Sequence, residues 1–153
     1  MNFDELSDAE LDQLRTMSKV VTNARIQWKE KPGHRQKNYL LENDRHQFEL
    51  YLRQSKHDES DFSCGLSVIK PDGLPLTLCR YNGGAHIHGA ISYQCHIHKA
   101  TNAAIVRGLK PESHADETDR YCTLDGALYC LVKDCSISGL RDLRPDQPDM
   151  FSK

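Results

Sequence analysis

Three stretches between Phe48 and Leu78 alternate apolar with polar residues, and no other feature of the chain limits its fold so tightly. Residues two apart in a strand share a face. Phe48, Leu50 and Leu52 therefore line one face, with Gln47, Glu49, Tyr51 and Arg53 on the other. Phe62, Cys64, Leu66 and Val68 repeat the pattern, as do Leu74, Leu76 and Leu78. The polar run Lys56 to Asp61 separates the first two stretches, and Pro71-Asp72-Gly73 turns the chain before the third. A short strand at Tyr39–Leu41 and a turn at Asn43-Asp44 precede them. Short turns between half-apolar strands predict an antiparallel meander with one buried face.

Helical patterns flank this meander. Ser7 and Glu10 have capping-box spacing. Leu6, Leu11, Leu14, Met17, Val20 and Val21 recur at helical intervals, which predicts a helix from Ser7 to Ala24. Asn102 to Arg107 reads as a short helix closed by Gly108, and Lys110 to Asp119 as a polar loop. Thr123 is placed to cap a last helix from Leu124 to Asp134 that buries Leu124, Leu128 and Leu131. The polar tail, 144–153, is expected to be loose. The expected fold is α+β: one domain over 1–153, with an antiparallel sheet of about five or six strands and the N-terminal and C-terminal helices packed on one face.

A chain with 38% apolar and 27% charged residues suits a folded domain. Its formal net charge of -2 provides no global basic field, so a nucleic acid would have to use a local patch. No apolar run approaches a membrane span, and Met1-Asn2-Phe3-Asp4-Glu5 lacks the basic and apolar regions of a signal peptide. These features predict a cytoplasmic protein with no membrane partner. In that reducing compartment the six cysteines, none in Cys-x-x-Cys spacing, are expected to be free and mostly buried.

The chemistry concentrates in two triplets, His86-Ile87-His88 and His96-Ile97-His98, which hold four of the eight histidines. If Ala90 and Gln94 close a loop, His88 faces His96, His86 faces His98, and Ile87 meets Ile97 on the opposite face. One register then satisfies both the apolar alternation and a four-imidazole cluster. With Asn82-Gly83 as a two-residue turn, Leu78 would oppose Ile87, Cys79 would oppose His86 and Thr77 would oppose His88. A longer turn would set Arg80 opposite His86, and the second glycine leaves room for a bulge.

Three chemistries fit such a cluster. A neutral and a protonated imidazole can cleave RNA as general base and general acid, with an arginine stabilising the phosphorane, and no cofactor is then required. The same spacing suits zinc or another late transition metal. Histidines can also simply occupy a solvated sheet face. Other candidates carry less. His34, His46, His57 and His114 are isolated in polar stretches, and Lys29, Lys31, Arg35 and Lys37 form a basic stretch interrupted by Glu30. Arg120-Tyr121, just ahead of the last helix, reads as a phosphate contact or as a packing tyrosine with an exposed neighbour. The chain has no Walker loop, Gly-x-Ser-x-Gly elbow or His-Glu-x-x-His.

Arg80-Tyr81-Asn82, the histidines that follow, Cys95-His96-Ile97-His98 and the late Thr123-Leu124-Asp125 resemble small bacterial proteins of the TumE-like toxin type. The match spans about residues 74–137, with Asn82 where an Asp is common. The resemblance implies the toxin of a toxin–antitoxin pair, with an antitoxin protein as partner and Arg80, Tyr81, His86, His88, His96 and His98 as its functional positions. The histidine chemistry adds RNA as the expected substrate. The alternative is a non-enzymatic metal-binding or inhibitory protein, such as a phage or plasmid factor.

Overall fold

Alternation is realised as a wide sheet in the structure, a computed structural model that describes residues 1–84 and 94–146. In chain order the elements are α1 (Asp8–Thr16), β1 (Lys19–Val21), β2 (Lys29–Lys31), β3 (His34–Glu42), β4 (Gln47–Ser55), β5 (Phe62–Ile69) and β6 (Pro75–Asn82). Then follow β7 (Cys95–Lys99), α2 (Asn102–Val106), β8 (His114–Thr118), α3 (Leu124–Asp134) and β9 (Ile137–Ser138). The sheet order is β8-β7-β6-β5-β4-β3-β1-β9, with β2 paired to β3 off this path. Among the described residues all pairings are antiparallel except β1 with β9. Among the described residues no helix is long and apolar enough to cross a membrane.

The α+β class and the central meander are as expected, but among the described residues the sheet has nine strands rather than five or six. The additional strands are short and lack apolar alternation. Those of β2 are all exposed, and β8 lies inside the stretch read as a polar loop. Such segments join a sheet through backbone hydrogen bonds, which leave no mark on side-chain patterning. The first helix also stops early, at Thr16 rather than Ala24. Ser7 and Glu10 close the expected capping box at its start. Val20 and Val21, which fitted a helical period, instead pair with Glu42 and Leu41 of β3. β-Branched residues suit that extended conformation.

Helices α1 and α3 both cover β6, and α3 also covers β5. The inward face carries Leu41, Phe48, Leu50, Leu66, Val68, Leu76 and Leu78, all almost fully buried. Thr123 accepts from the Gly126 amide, as expected of the α3 cap. Asp146, placed in the tail expected to be loose, is instead tied down: its carboxylate accepts from the Cys122 and Thr123 amides at 2.6 and 3.0 Å. That places an anion at the N-terminal end of a helix, where the dipole favours it.

One irregularity sets up the candidate site. Between β5 and β6, Leu66 pairs with Cys79 and Ser67 with Thr77, so Leu78 is an extra residue. The bulge reverses which parity of β6 faces the helices. Leu76 and Leu78 are buried before it, and Cys79 and Tyr81 after it. Arg80 and Asn82 are thereby turned to the outer face. Arg15 of α1 donates from Nη1 to the carbonyls of Leu78 and Ala100, both at 3.2 Å, holding the bulge in place.

On that outer face Gly65 lies between Tyr51 and Arg80 in neighbouring strands. A Cβ there would stand 2.5 Å from Tyr51 Cε1 and 3.0 Å from the Cys79 carbonyl oxygen. Gly65→Ala is expected to destabilise the fold by about 1–3 kcal/mol through overpacking, read as a lower urea midpoint. An unchanged midpoint would show that the Tyr51 ring moves aside freely.

Candidate active site

The outer sheet face is polar from β4 to β8. One cross-strand row runs Arg53, Ser63, Asn82, His96, Glu117, and the next Tyr51, Gly65, Arg80, His98, Ala115. His96 and His98 share this face, as the period-two reading predicts, while Ile97 between them is buried. Cβ atoms of directly opposed residues lie about 4.5–5.5 Å apart, so Arg80 abuts His98 and Asn82 abuts His96.

His86 and His88 lie outside the described residues, and so does Ile87. The positions that the hairpin registers assigned to them are nevertheless occupied. Asn82 and Arg80 oppose His96 and His98 on one side of β7, and Glu117 and Ala115 oppose them on the other. Cys79 opposes Lys99 and Leu66 rather than His86. It is buried on the helix side rather than placed among the histidines. The physical reason is the Leu78 bulge, which the sequence does not announce.

His98 is the best-defined group. Its Nδ1 lies 3.1 Å from the carbonyl oxygen of Glu112. A carbonyl only accepts, so Nδ1 carries the proton and Nε2 of the neutral ring keeps its lone pair. Burial, then the Arg80 guanidinium, pushes the His98 pKa below its ordinary value of 6.5. Glu112 itself is only 3% exposed, and its carboxylate stands 3.9 Å from Arg80 Nη1. One residue thus orients the imidazole through its backbone and faces the arginine through its side chain. Among the described residues, Arg80 Nε is buried without a hydrogen-bond partner.

Beside Arg80 an open pocket of about 320 Å³ is lined by Tyr51, Arg53, Asp61, Ser63 and Asn82 among others. Its polar groups are chained: the Tyr51 hydroxyl donates to Ser63 Oγ at 2.8 Å, which donates to Asn82 Oδ1 at 2.8 Å. Burial raises the Tyr51 pKa, so the phenol stays protonated at neutral pH. Among the described residues, no three His, Cys, Asp or Glu side chains converge as ligands for a metal ion.

Tyr81, a candidate from the sequence, stands on the other side of the sheet from Arg80 and the two histidines. Its hydroxyl donates to Asp134, and its ring stacks on Tyr121 at 6.0 Å. Arg120 makes a two-point contact with the same Asp134, at 2.8 and 2.9 Å. Tyr121 donates to the carbonyls of Asn82 and His96, which ties β6 to β7 beneath the site. Arg120-Tyr121 is therefore a packing unit. Sequence reasoning missed Glu112, Ser63 and Asp61, which lie in segments without a motif. Tyr51 and Arg53 were assigned to the right face, but nothing local placed them near Arg80.

The Nδ1-protonated, neutral state of His98 has a measurable consequence. In a ring-proton NMR titration, His98 should titrate below 6.5 and move upward in Arg80→Met, because that cation favours the neutral imidazole. A midpoint at or above 6.5 would contradict the arrangement. A depressed native pKa means that the unfolded chain binds the proton more readily. The stability from neutral His98 is complete above 6.5 and is lost as pH falls through the native value.

The site combines a neutral imidazole held by a carbonyl, a second imidazole on the same strand face, and an arginine on the adjacent strand. Comparisons with protein-family models, with curated proteins and with solved structures found no match to this chain.

Proposed function

We propose that this protein is a metal-independent endoribonuclease of the toxin type, acting on single-stranded RNA and controlled by an antitoxin protein. The observation that carries the reading is the His98–Glu112–Arg80 arrangement: a base whose Nε2 keeps its lone pair, beside a cation. His98 Nε2 takes the proton of a ribose 2′-OH, and the 2′-oxygen attacks the adjacent phosphorus. His96, two residues along the same strand and so roughly 7 Å away, returns a proton to the departing 5′-oxygen. Arg80 neutralises the phosphorane charge. The TumE-like resemblance of residues 80–82, 95–98 and 123–125 supports the toxin assignment.

The test incubates purified protein with single-stranded RNA in EDTA. Expected products carry 2′,3′-cyclic phosphate and 5′-hydroxyl ends, and a 2′-O-methyl strand resists cleavage. Expression should slow bacterial growth, and replacing His86, His88, His96 and His98 together with alanine should abolish that effect. Equal toxicity at equal soluble expression, or cleavage of the 2′-O-methyl strand, would overturn the reading. A loss of thermal stability in EDTA would favour a metal-binding protein instead.

A further inference from the structure

On the helix side of the sheet, two thiols stand together in a charged cleft. Cys79 Sγ and Cys135 Sγ are 3.9 Å apart, 56 residues distant in the chain. They line a cavity of about 220 Å³ with Lys99 and two ion pairs, Arg15–Asp12 and Arg120–Asp134. Lys19 Nζ donates to the Cys135 carbonyl at 2.9 Å, which fixes a buried ammonium next to this pair. Each cysteine sits at a break in regular structure. Cys79 directly follows the Leu78 bulge, and Cys135 caps the C-terminal end of α3.

We propose that Cys135 and Cys79 form a peroxide-reactive dithiol that closes to an intramolecular disulfide. The Cys135 thiolate attacks one oxygen of a hydroperoxide. The O–O bond breaks, the other oxygen leaves with a proton as an alcohol or water, and Cys135 becomes a sulfenic acid. The Cys79 sulfur then attacks Cys135 Sγ, breaking the S–OH bond, and the hydroxyl leaves as water with the Cys79 proton. Two electrons from the thiols reduce one hydroperoxide. Closure requires the sulfurs to come from 3.9 Å to about 2.05 Å.

Cys79 and Cys135 are themselves buried, at 1% exposure each, and what sets them apart is their pairing at the cavity. Cys64 and Cys95 are also buried, Cys130 donates weakly to the Arg120 carbonyl at 3.7 Å, and Cys122 is exposed. The Cys79 S–H, then Lys19 and Arg15, favour the Cys135 thiolate against the opposing effects of burial and Asp134 and bring its pKa below the ordinary value, whereas burial and Asp146 raise the Cys122 thiol. Exposure alone would select Cys122, and the geometry selects Cys135.

The experiment treats the full chain with one equivalent of hydrogen peroxide, quenches with an alkylating agent under denaturing conditions and maps the peptides. The expected result is a loss of two hydrogens, a Cys79–Cys135 linked peptide, and reaction about tenfold or more faster than at Cys122. With Cys79→Ser, dimedone should trap the sulfenic acid on Cys135. Oxidation beginning at Cys122, with Cys79 and Cys135 still alkylatable, would overturn the proposal. The mapping of the unmodified sequence needs no variant, so a misfolded mutant cannot obscure the outcome.

Discussion

His98→Ala should lower the RNA-cleavage rate by about 10²–10⁴-fold, the usual contribution of one positioned acid or base. His98 is half-buried on the outer sheet face, so the variant should keep its melting transition and circular dichroism. Arg80→Gln should cost about 10²–10³-fold through lost charge stabilisation. The pH–rate profile separates this mechanism from a binding artefact. The base must be neutral, so the acid limb should fall below pH 6.5, where burial and Arg80 place His98. In Arg80→Lys the cation persists and the acid limb should stay below 6.5, whereas in Arg80→Gln it should move upward. Full activity in His98→Ala would remove the imidazole from the mechanism.

Lys19→Met should produce the largest loss of stability of any single side chain discussed. Lys19 is 1% exposed, and its ammonium donates to the carbonyls of Arg15, Met17 and Cys135 at 2.8, 2.6 and 2.9 Å. Two of these lie where α1 ends and the third where α3 ends, so one cation serves the negative ends of two helices. The Phe48 ring supports it from 4.8 Å. Burial pushes the pKa down to about 8, which leaves the group charged at neutral pH. Methionine keeps the stem but strands three acceptors, the buried Arg15 and Cys135 carbonyls and the half-buried Met17 carbonyl, and a buried one costs about 1–3 kcal/mol when unpaired. A total of about 3–5 kcal/mol is expected, since such effects do not sum fully, measured as the shift of the urea midpoint at pH 7. A loss under about 1 kcal/mol would show that the carbonyls find other donors.

The buried lysine marks where local pattern stops being informative. Lys19 sits inside an apolar periodicity that mimics a helix, and one of its three partners, the Cys135 carbonyl, comes from far along the chain. Likewise, Glu112 reads as one more acidic residue in a polar stretch. It acquires meaning only when β7 and β8 pair and bring its carbonyl to His98.

The alternation from Phe48 to Leu78 determined the strand faces without any tertiary information, because a strand's side-chain period is a property of its backbone. The same holds for Ile97 pointing inward with His96 and His98 outward, for the Ser7 and Thr123 caps, and for the bounds of α3. Leu74 is the exception to the alternation: expected on the buried face with Leu76 and Leu78, it lies in the turn before β6 and is 59% exposed, since a turn residue has no sheet face to share. Neighbour relations were decided only by the tertiary structure. β7 pairs with β6 and β8, and Arg80 thereby comes to oppose His98. The Leu78 bulge moved Cys79 inward and Arg80 outward because α1, through Arg15, holds the Leu78 and Ala100 carbonyls. Strand pairing and bulges depend on which backbone edges are free once the whole sheet has assembled. That is a non-local condition, and no window of sequence contains it.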